Sequence, residues 1–252
     1  MAASSLWERE PGAAKYGNFI NYYQFNSPKK RINLIPRHLL NYIFSANKVE
    51  KLRVGLDIGC NAGDLTEALY QHFTDIENQE RIASELEYDL HILGVDLDPV
   101  LIKRSCEKNS FPNNITYKEI DIMEGDQCYT TFRSYLNNFG KSMFDIIFCF
   151  SVTMWVHLNH GDVGLKKFLK DVSGFTQYLL LEPQEWKCYR SASRRMRKLK
   201  CPAFQNLEDL QMKESVVEDI ACYLKECGME EVKNFGTTEW GRKIILYKKI
   251  KV

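Results

Sequence analysis

From residue 52 onward the chain alternates short apolar, β-branched runs with amphipathic stretches of helical period, and this alternation narrows the fold more than any other feature. The runs at 53–58, 90–96, 115–121, 144–150 and 177–182 read as strands of a parallel sheet. Stretches near 64–73, 99–109, 126–138 and 163–172 read as the helices that cover it. "SVVEDIACYLKECG" predicts a further helix ended by Gly228, with Val217, Ile220, Ala221 and Leu224 repeating at three- and four-residue spacing. "MEEVKNFG" and "RKIILYKKI", parted by a turn containing Gly241, predict a β-hairpin. The expectation is an α/β, Rossmann-like fold whose seven-stranded sheet closes with a C-terminal antiparallel hairpin; strand order is not readable from one sequence.

With 252 residues, 44% of them hydrophobic, the chain can bury one sizeable core. The expected organisation is a loose tail over 1–15 and a single domain over 16–252. That domain carries an aromatic and basic arm at 16–50 and a basic amphipathic helix at 184–200. Eight cysteines without a C-x-x-C pair suit reduced thiols in the cytosol or nucleus. No apolar run is long enough to span a bilayer, so the expectation is a cytoplasmic protein without a membrane partner, and nothing in the sequence suggests an obligate dimer.

"VGLDIGCNAGDLTEAL" (54–69) passes from an apolar strand through a small-residue turn into a helix. Gly59 and Gly63 are expected to let the backbone approach a ligand, and the helix from Asp64 aims free N–H groups at the same crevice. The turn is G-x-x-x-G with Asp57 two residues before its first glycine, not the G-x-G-x-x-G that receives a pyrophosphate. A carboxylate there favours a cation, as in the aminoacyl part of S-adenosylmethionine. "GVDLDP" then sets Asp96 where it can accept hydrogen bonds from ribose hydroxyls. "EIDIM" sets Asp121 and the Ile122 N–H where adenine can be read, and Asn61 can reach the cofactor through its amide. Three acids at successive strand ends are the pattern of a class I S-adenosylmethionine-dependent methyltransferase.

The net charge is only +1, yet seven Lys or Arg residues and no acid lie between Lys187 and Lys200. On a helical wheel Lys187, Arg190, Arg194, Arg197 and Lys198 share one side, opposite Tyr189, Ala192, Met196 and Leu199. A basic face following the fifth strand suits an RNA phosphate. Lys187 and Arg190 are the candidates for holding a terminal phosphate, with Tyr16 and His157 as hydrogen-bonding partners. Arg194, Arg197 and Lys198 are assigned to the RNA backbone. Trp155 and Trp186 could each stack on a base or pack in the core. His157 and His160 lack the acids or cysteines that a metal site would add, so no metal is expected.

"LDIGCNAGDLT", "GVDLDPVLI", "FSVTMWVHLNHGDVGL" and "LLLEPQEWKCYR" together resemble the bicoid-interacting-protein family, which methylates RNA 5′ phosphates and includes a methylphosphate-capping enzyme. The resemblance runs from about Tyr16 to the end of the chain. "WKCYRSASRRMRKL" and "TTEWGRKIILYK" are most similar to its 5′-monophosphate branch, which implies transfer RNA for histidine and microRNA precursors as substrates. The resemblance also implies that Asn61, Asp96, Asp121 and Ile122 contact the cofactor and that Arg31 closes over it. Glu185 departs from the family pattern, which favours proline there. The competing readings are a methyltransferase acting on another RNA 5′ end, a triphosphate, or on a small molecule or protein, and a catalytically idle RNA-binding adaptor.

Overall fold

The computed structural model describes residues 14–45, 50–74 and 88–250; most of the expected 1–15 tail lies outside them. Seven strands form one sheet: β1 (Leu52–Ile58), β2 (Asp89–Asp96), β3 (Ile115–Glu119), β4 (Phe144–Phe150), β5 (Thr176–Glu182), β6 (Met229–Thr237) and β7 (Lys243–Lys249). Their order is β3-β2-β1-β4-β5-β7-β6, the first five parallel and β7 antiparallel to both of its neighbours. The chain enters at β1, builds outward to β3, then returns to β4 on the other side of β1. That reversal opens a crevice at the carboxyl ends of β1 and β4, the position at which open α/β sheets bind ligands.

One face of the sheet is covered by α6 (Gly125–Asn137), α7 (Thr153–Gly174), α8 (Trp186–Lys198) and α9 (Val216–Glu226). The other is covered by α4 (Asp64–Thr74), α5 (Pro99–Lys108) and the arm, which holds α1 (Tyr22–Phe25), α2 (Pro28–Ile32) and α3 (Leu39–Ile43). β4 shows the division residue by residue. Ile147 and Cys149 pack on the first face, Ile146, Phe148 and Phe150 on the second, and all are buried. Among the described residues no helix is long and apolar enough to cross a membrane.

Local chemistry explains most element ends. Asp98 caps α5 by accepting from the N–H groups of Val100 and Leu101, with Pro99 in the first turn. β3 is two residues shorter than expected, because after the Ile120 N–H bonds Asp96 O at 2.9 Å the chain turns and Asp121 accepts from the Met123 N–H. α7 begins ten residues before the expected 163, with a break at Gly161. Its start is secured from a distance: the Gln184 side-chain oxygen, just past β5, accepts from Thr153 Oγ1 at 2.9 Å and the Met154 N–H at 3.1 Å.

Gly63 has a structural reason to be glycine. Its φ is +86°, and a Cβ there would lie 2.6 Å from Tyr117 Oη and 2.8 Å from Cζ. Gly63→Ala should lower stability by about 2–3 kcal/mol, measured by urea unfolding, because left-handed strain and overpacking add.

Candidate functional site: a cleft at the ends of β1, β2 and β4

The cleft is walled by the ends of β1, β2, β3 and β4 and roofed by the arm. Asp57, Gly59, Asn61, Asp96, Asp121, Ile122, Arg31 and Tyr16 all line it. Gly63 does not; its lack of a side chain serves the contact with Tyr117. Gly59 has φ +73° and would bring a Cβ within 2.6 Å of Val152, so the turn at the head of the cleft does need a glycine.

Asp57 is buried, and its Oδ2 accepts from Thr66 Oγ1 at 2.6 Å. Burial pushes its carboxyl up to about 7, against the lowering effect of the Thr66 bond, with the nearby Asp96 raising it further. Asp96 is raised to about 6, again mainly by burial, although its two oxygens accept from the N–H groups of Asp98 and Asn61, each at 3.0 Å. Two desolvated carboxylates facing one cleft favour a ligand that is cationic or rich in hydroxyl donors. Asn61, at φ +54°, turns its own amide inward: Nδ2 donates to Phe19 O at 3.0 Å and Oδ1 accepts from the Ala62 N–H. It therefore holds the arm over the cleft, together with Asn18, which donates to Asp98 at 2.7 Å.

Arg31 is wholly buried and bonds Glu182 twice, through Nε at 3.1 Å and Nη2 at 2.8 Å. Nη2 also reaches Tyr22 Oη at 2.7 Å and Ser151 Oγ at 2.9 Å, while Nη1 is buried with no hydrogen-bond partner. The other Glu182 oxygen accepts from Trp240 Nε1 at 2.9 Å, which ties the terminal hairpin to the same cluster. Ser151, at the end of β4, sits at φ +62°, a strained geometry for a side-chain-bearing residue.

The basic helix divides into two sides. Lys187, Arg190, Arg194, Arg197 and Lys198 are exposed, and Tyr189, Ala192 and Met196 are buried, as the wheel requires. Lys187 and Arg190, however, line a separate hollow beside Trp186, and Lys187 Nζ pairs with Glu185 at 2.8 Å. Neither reaches the cleft, and Glu185 stands outside it too. Arg195 instead packs against the arm, its guanidinium carbon 4.8 Å from the centre of the Phe19 ring. Arg195 and Arg242 wall a cavity that adjoins the cleft and shares Tyr22, Ser151 and Trp155 with it.

His157 is buried between α7 and α8, within 3.0 Å of Tyr189 Oη and 3.3 Å of Asp162. Burial holds its imidazole below the ordinary value. It braces two helices and does not line the cleft, whereas His160 does. Trp155 lies at the junction of cleft and cavity, packed edge-on to Phe19.

Tyr22, Ser151, Glu182, Arg195, Trp240 and Arg242 were not singled out by pattern. "TTEWGRK" carried two of them, and the only available signal was two large polar-tipped side chains in a turn beside a strand.

Fold and cleft together are those of the class I S-adenosylmethionine-dependent methyltransferases. The N-methyltransferase NodS of Bradyrhizobium japonicum, solved with S-adenosyl-L-homocysteine, superposes with a TM-score of 0.53 at 17% identity, covering 97% of both chains. The magnesium protoporphyrin IX methyltransferase of Synechocystis gives 0.53 at 14% identity over 97% of this chain and 92% of that one. The family model of Bicoid-interacting protein 3 (Bin3) matches residues 144–249. The chain is 43% identical over 240 residues to the RNA 5′-monophosphate methyltransferase of Bos taurus, covering 95% of this chain and 82% of that one. It is 43% identical over 245 residues to the pre-miRNA 5′-monophosphate methyltransferase of Xenopus laevis, covering 95% and 94%. The chain belongs to the Bin3 family, and with it to the S-adenosylmethionine-dependent methyltransferases.

Proposed function

We propose that the protein transfers the methyl group of S-adenosylmethionine to an oxygen of the 5′-terminal monophosphate of RNA. The observation that carries this reading is the annex to the cofactor cleft. It is walled by Arg195 and by Arg242, whose Nε is buried with no hydrogen-bond partner. Such walls favour an anionic acceptor beside the cofactor. The two relatives named for RNA and pre-miRNA 5′-monophosphate support the choice of anion.

The cleft fits the cofactor's functional groups. Arg31 Nη1, buried and without a partner, has an N–H to offer a carboxylate. Asp57 suits an ammonium group, Asp96 the ribose hydroxyls, and Asp121 with Ile122 the adenine edge. Asn61 and Asn18 hold the arm over the cleft. The bound cofactor supplies an electrophilic methyl group on a sulfonium.

A phosphate monoester has a second pKa near ~6 and is largely a dianion at neutral pH, so its oxygen needs no general base. The protein's task is then to dock and align that oxygen. Tyr16, at the cleft mouth, can donate a hydrogen bond to the phosphate end. Arg194, Arg197 and Lys198, with Lys187 and Arg190, are assigned to the RNA backbone, a contact that weakens as salt rises. We assign transfer RNA and microRNA precursors as substrates, and monomeric action in the cytoplasm.

The test is transfer of labelled methyl to one hairpin RNA prepared with 5′-hydroxyl, monophosphate or triphosphate ends. Label is expected on the monophosphate RNA, lost when its 5′ phosphate is removed. Label on the hydroxyl form would move the target to a base or ribose.

A further inference from the structure

On the reading above, we infer that Phe25 is the platform on which the first base of the RNA stacks, so that the nucleoside bearing the reacting phosphate is held by its base as well as by its phosphate. The annex assigned to the acceptor is lined by four aromatic side chains, Phe19, Tyr22, Phe25 and Trp155. Three of them are already packed against other rings. Phe19 meets Trp155 edge-on at 5.6 Å between ring centres, and Tyr22 meets Tyr23 edge-on at 5.2 Å. Trp155 also contacts Phe204 at 6.2 Å, and Gly17, at φ +79°, lies so near it that a Cβ there would come within 2.2 Å of the indole Nε1. Trp186, the other tryptophan considered for a base, packs on Tyr189 at 5.0 Å beside the separate hollow. Phe25 has no ring partner among the described residues and is 45% exposed. A lone exposed apolar side chain needs no function, but this one borders the cavity assigned to the acceptor.

The ring is placed by the backbone that carries it. Phe25 ends α1, where the Asn26 N–H donates to Tyr22 O at 3.1 Å and Tyr22 Oη donates to Ser151 Oγ at 3.0 Å, just past the end of β4. Tyr22 Oη in turn accepts from Arg31 Nη2 at 2.7 Å, so α1 is tied to the edge of the cofactor cleft. Arg242, which lines the same annex, donates through Nη1 to Ser151 Oγ at 2.6 Å and keeps its buried Nε without a partner. A phosphate meeting that guanidinium brings its ribose and base into a cavity whose exposed aromatic wall is Phe25. Ser191 of α8 also lines the annex, and the outer side of that helix carries the basic residues assigned to the RNA backbone, so the chain beyond the first nucleotide has a continuous path. Stacking suits this place, because every base offers a π-face. The platform therefore strengthens binding of a 5′ nucleotide whatever its base.

The experiment measures methyl transfer to one short 5′-monophosphate RNA, prepared with an ordinary first nucleotide or with an abasic ribose in its place. The wild-type protein is expected to show about a tenfold lower kcat/KM on the abasic end. Phe25→Ala should lose about tenfold on the ordinary RNA and little on the abasic one, so that the two substrates become alike. Phe25→Trp, which keeps an aromatic face, should preserve the difference between them. Affinity for S-adenosylhomocysteine should be retained in both variants, since Phe25 does not line the cofactor cleft, and this separates a lost platform from a misfolded arm. Equal losses on the two RNAs in Phe25→Ala would make the ring a brace of the arm and overturn the platform. A wild-type protein that methylates both RNAs with the same kcat/KM overturns the platform and leaves the proposed function standing. One that methylates neither, while binding S-adenosylhomocysteine, overturns the proposed function and the platform with it.

Discussion

Arg31→Met is expected to destabilise the protein by about 3–5 kcal/mol in urea unfolding and to remove cofactor binding measurable by calorimetry. Arg31 and Glu182 are both fully buried, and their pairing is bidentate. Removing the guanidinium strands a carboxylate that retains Ser151 and Trp240 as donors but loses its ion-pair partner. Arg31→Met combined with Glu182→Gln should recover much of the stability, since a neutral pair no longer carries the desolvation cost of a lone charge. Cofactor binding should stay lost in the double variant, because Arg31 lines the cleft and its unpartnered Nη1 goes with the side chain. Recovery of binding there would mean that Arg31 acts only as a brace. A single-variant loss below about 1 kcal/mol would mean that water reaches Glu182.

The same pair marks where the sequence stops being informative. The strands and the helices between them were legible because their apolar periods are strong, although α7 begins ten residues before the expected start and the short helices of the arm were not drawn. Asp57, Asp96 and Asp121 were legible because each lies at or just past the carboxyl end of a strand in a parallel sheet, where topology alone brings them to one crevice. Arg31 and Glu182 are 151 positions apart, and no local pattern links them. Gln184 capping α7, and His157 wedged against Tyr189, are likewise tertiary choices. The basic helix shows a subtler limit. The wheel separated its apolar and charged sides correctly, but function was read from the most exposed cations. Arg195 sits at the border of the two sides, and a border residue is the one placed to reach a cavity beside the helix.

Asp57→Asn should make the cofactor-free protein more stable at pH 8 and a poorer methyltransferase at every pH. The carboxyl is held at about 7 in the fold, against an ordinary value of 3.8. Between those values the folded chain holds a proton that the unfolded chain has released. Stability is therefore fully present below about pH 4, falls as pH rises through this window, and is lowest above about pH 7. The asparagine variant escapes that loss, because its amide oxygen still accepts from Thr66 and nothing is ionised. The difference at pH 8 should reach about 2–4 kcal/mol, from roughly three pH units of displacement, and should vanish near pH 4. Asp96, raised to about 6, contributes in the same direction, so the comparison must be the difference between the two stability curves. An ammonium group arriving beside Asp57 reverses the balance, because the charged form gains a partner and its proton leaves. Calorimetry of S-adenosylmethionine binding at pH 7, in two buffers of different ionisation enthalpy, should register proton release in the wild type and less in Asp57→Asn. Cofactor affinity in the variant should fall by about tenfold or more. Equal stability at pH 8 with unchanged proton release would mean that Asp57 is already ionised in the free cleft, and that the cation is met by Asp96 instead.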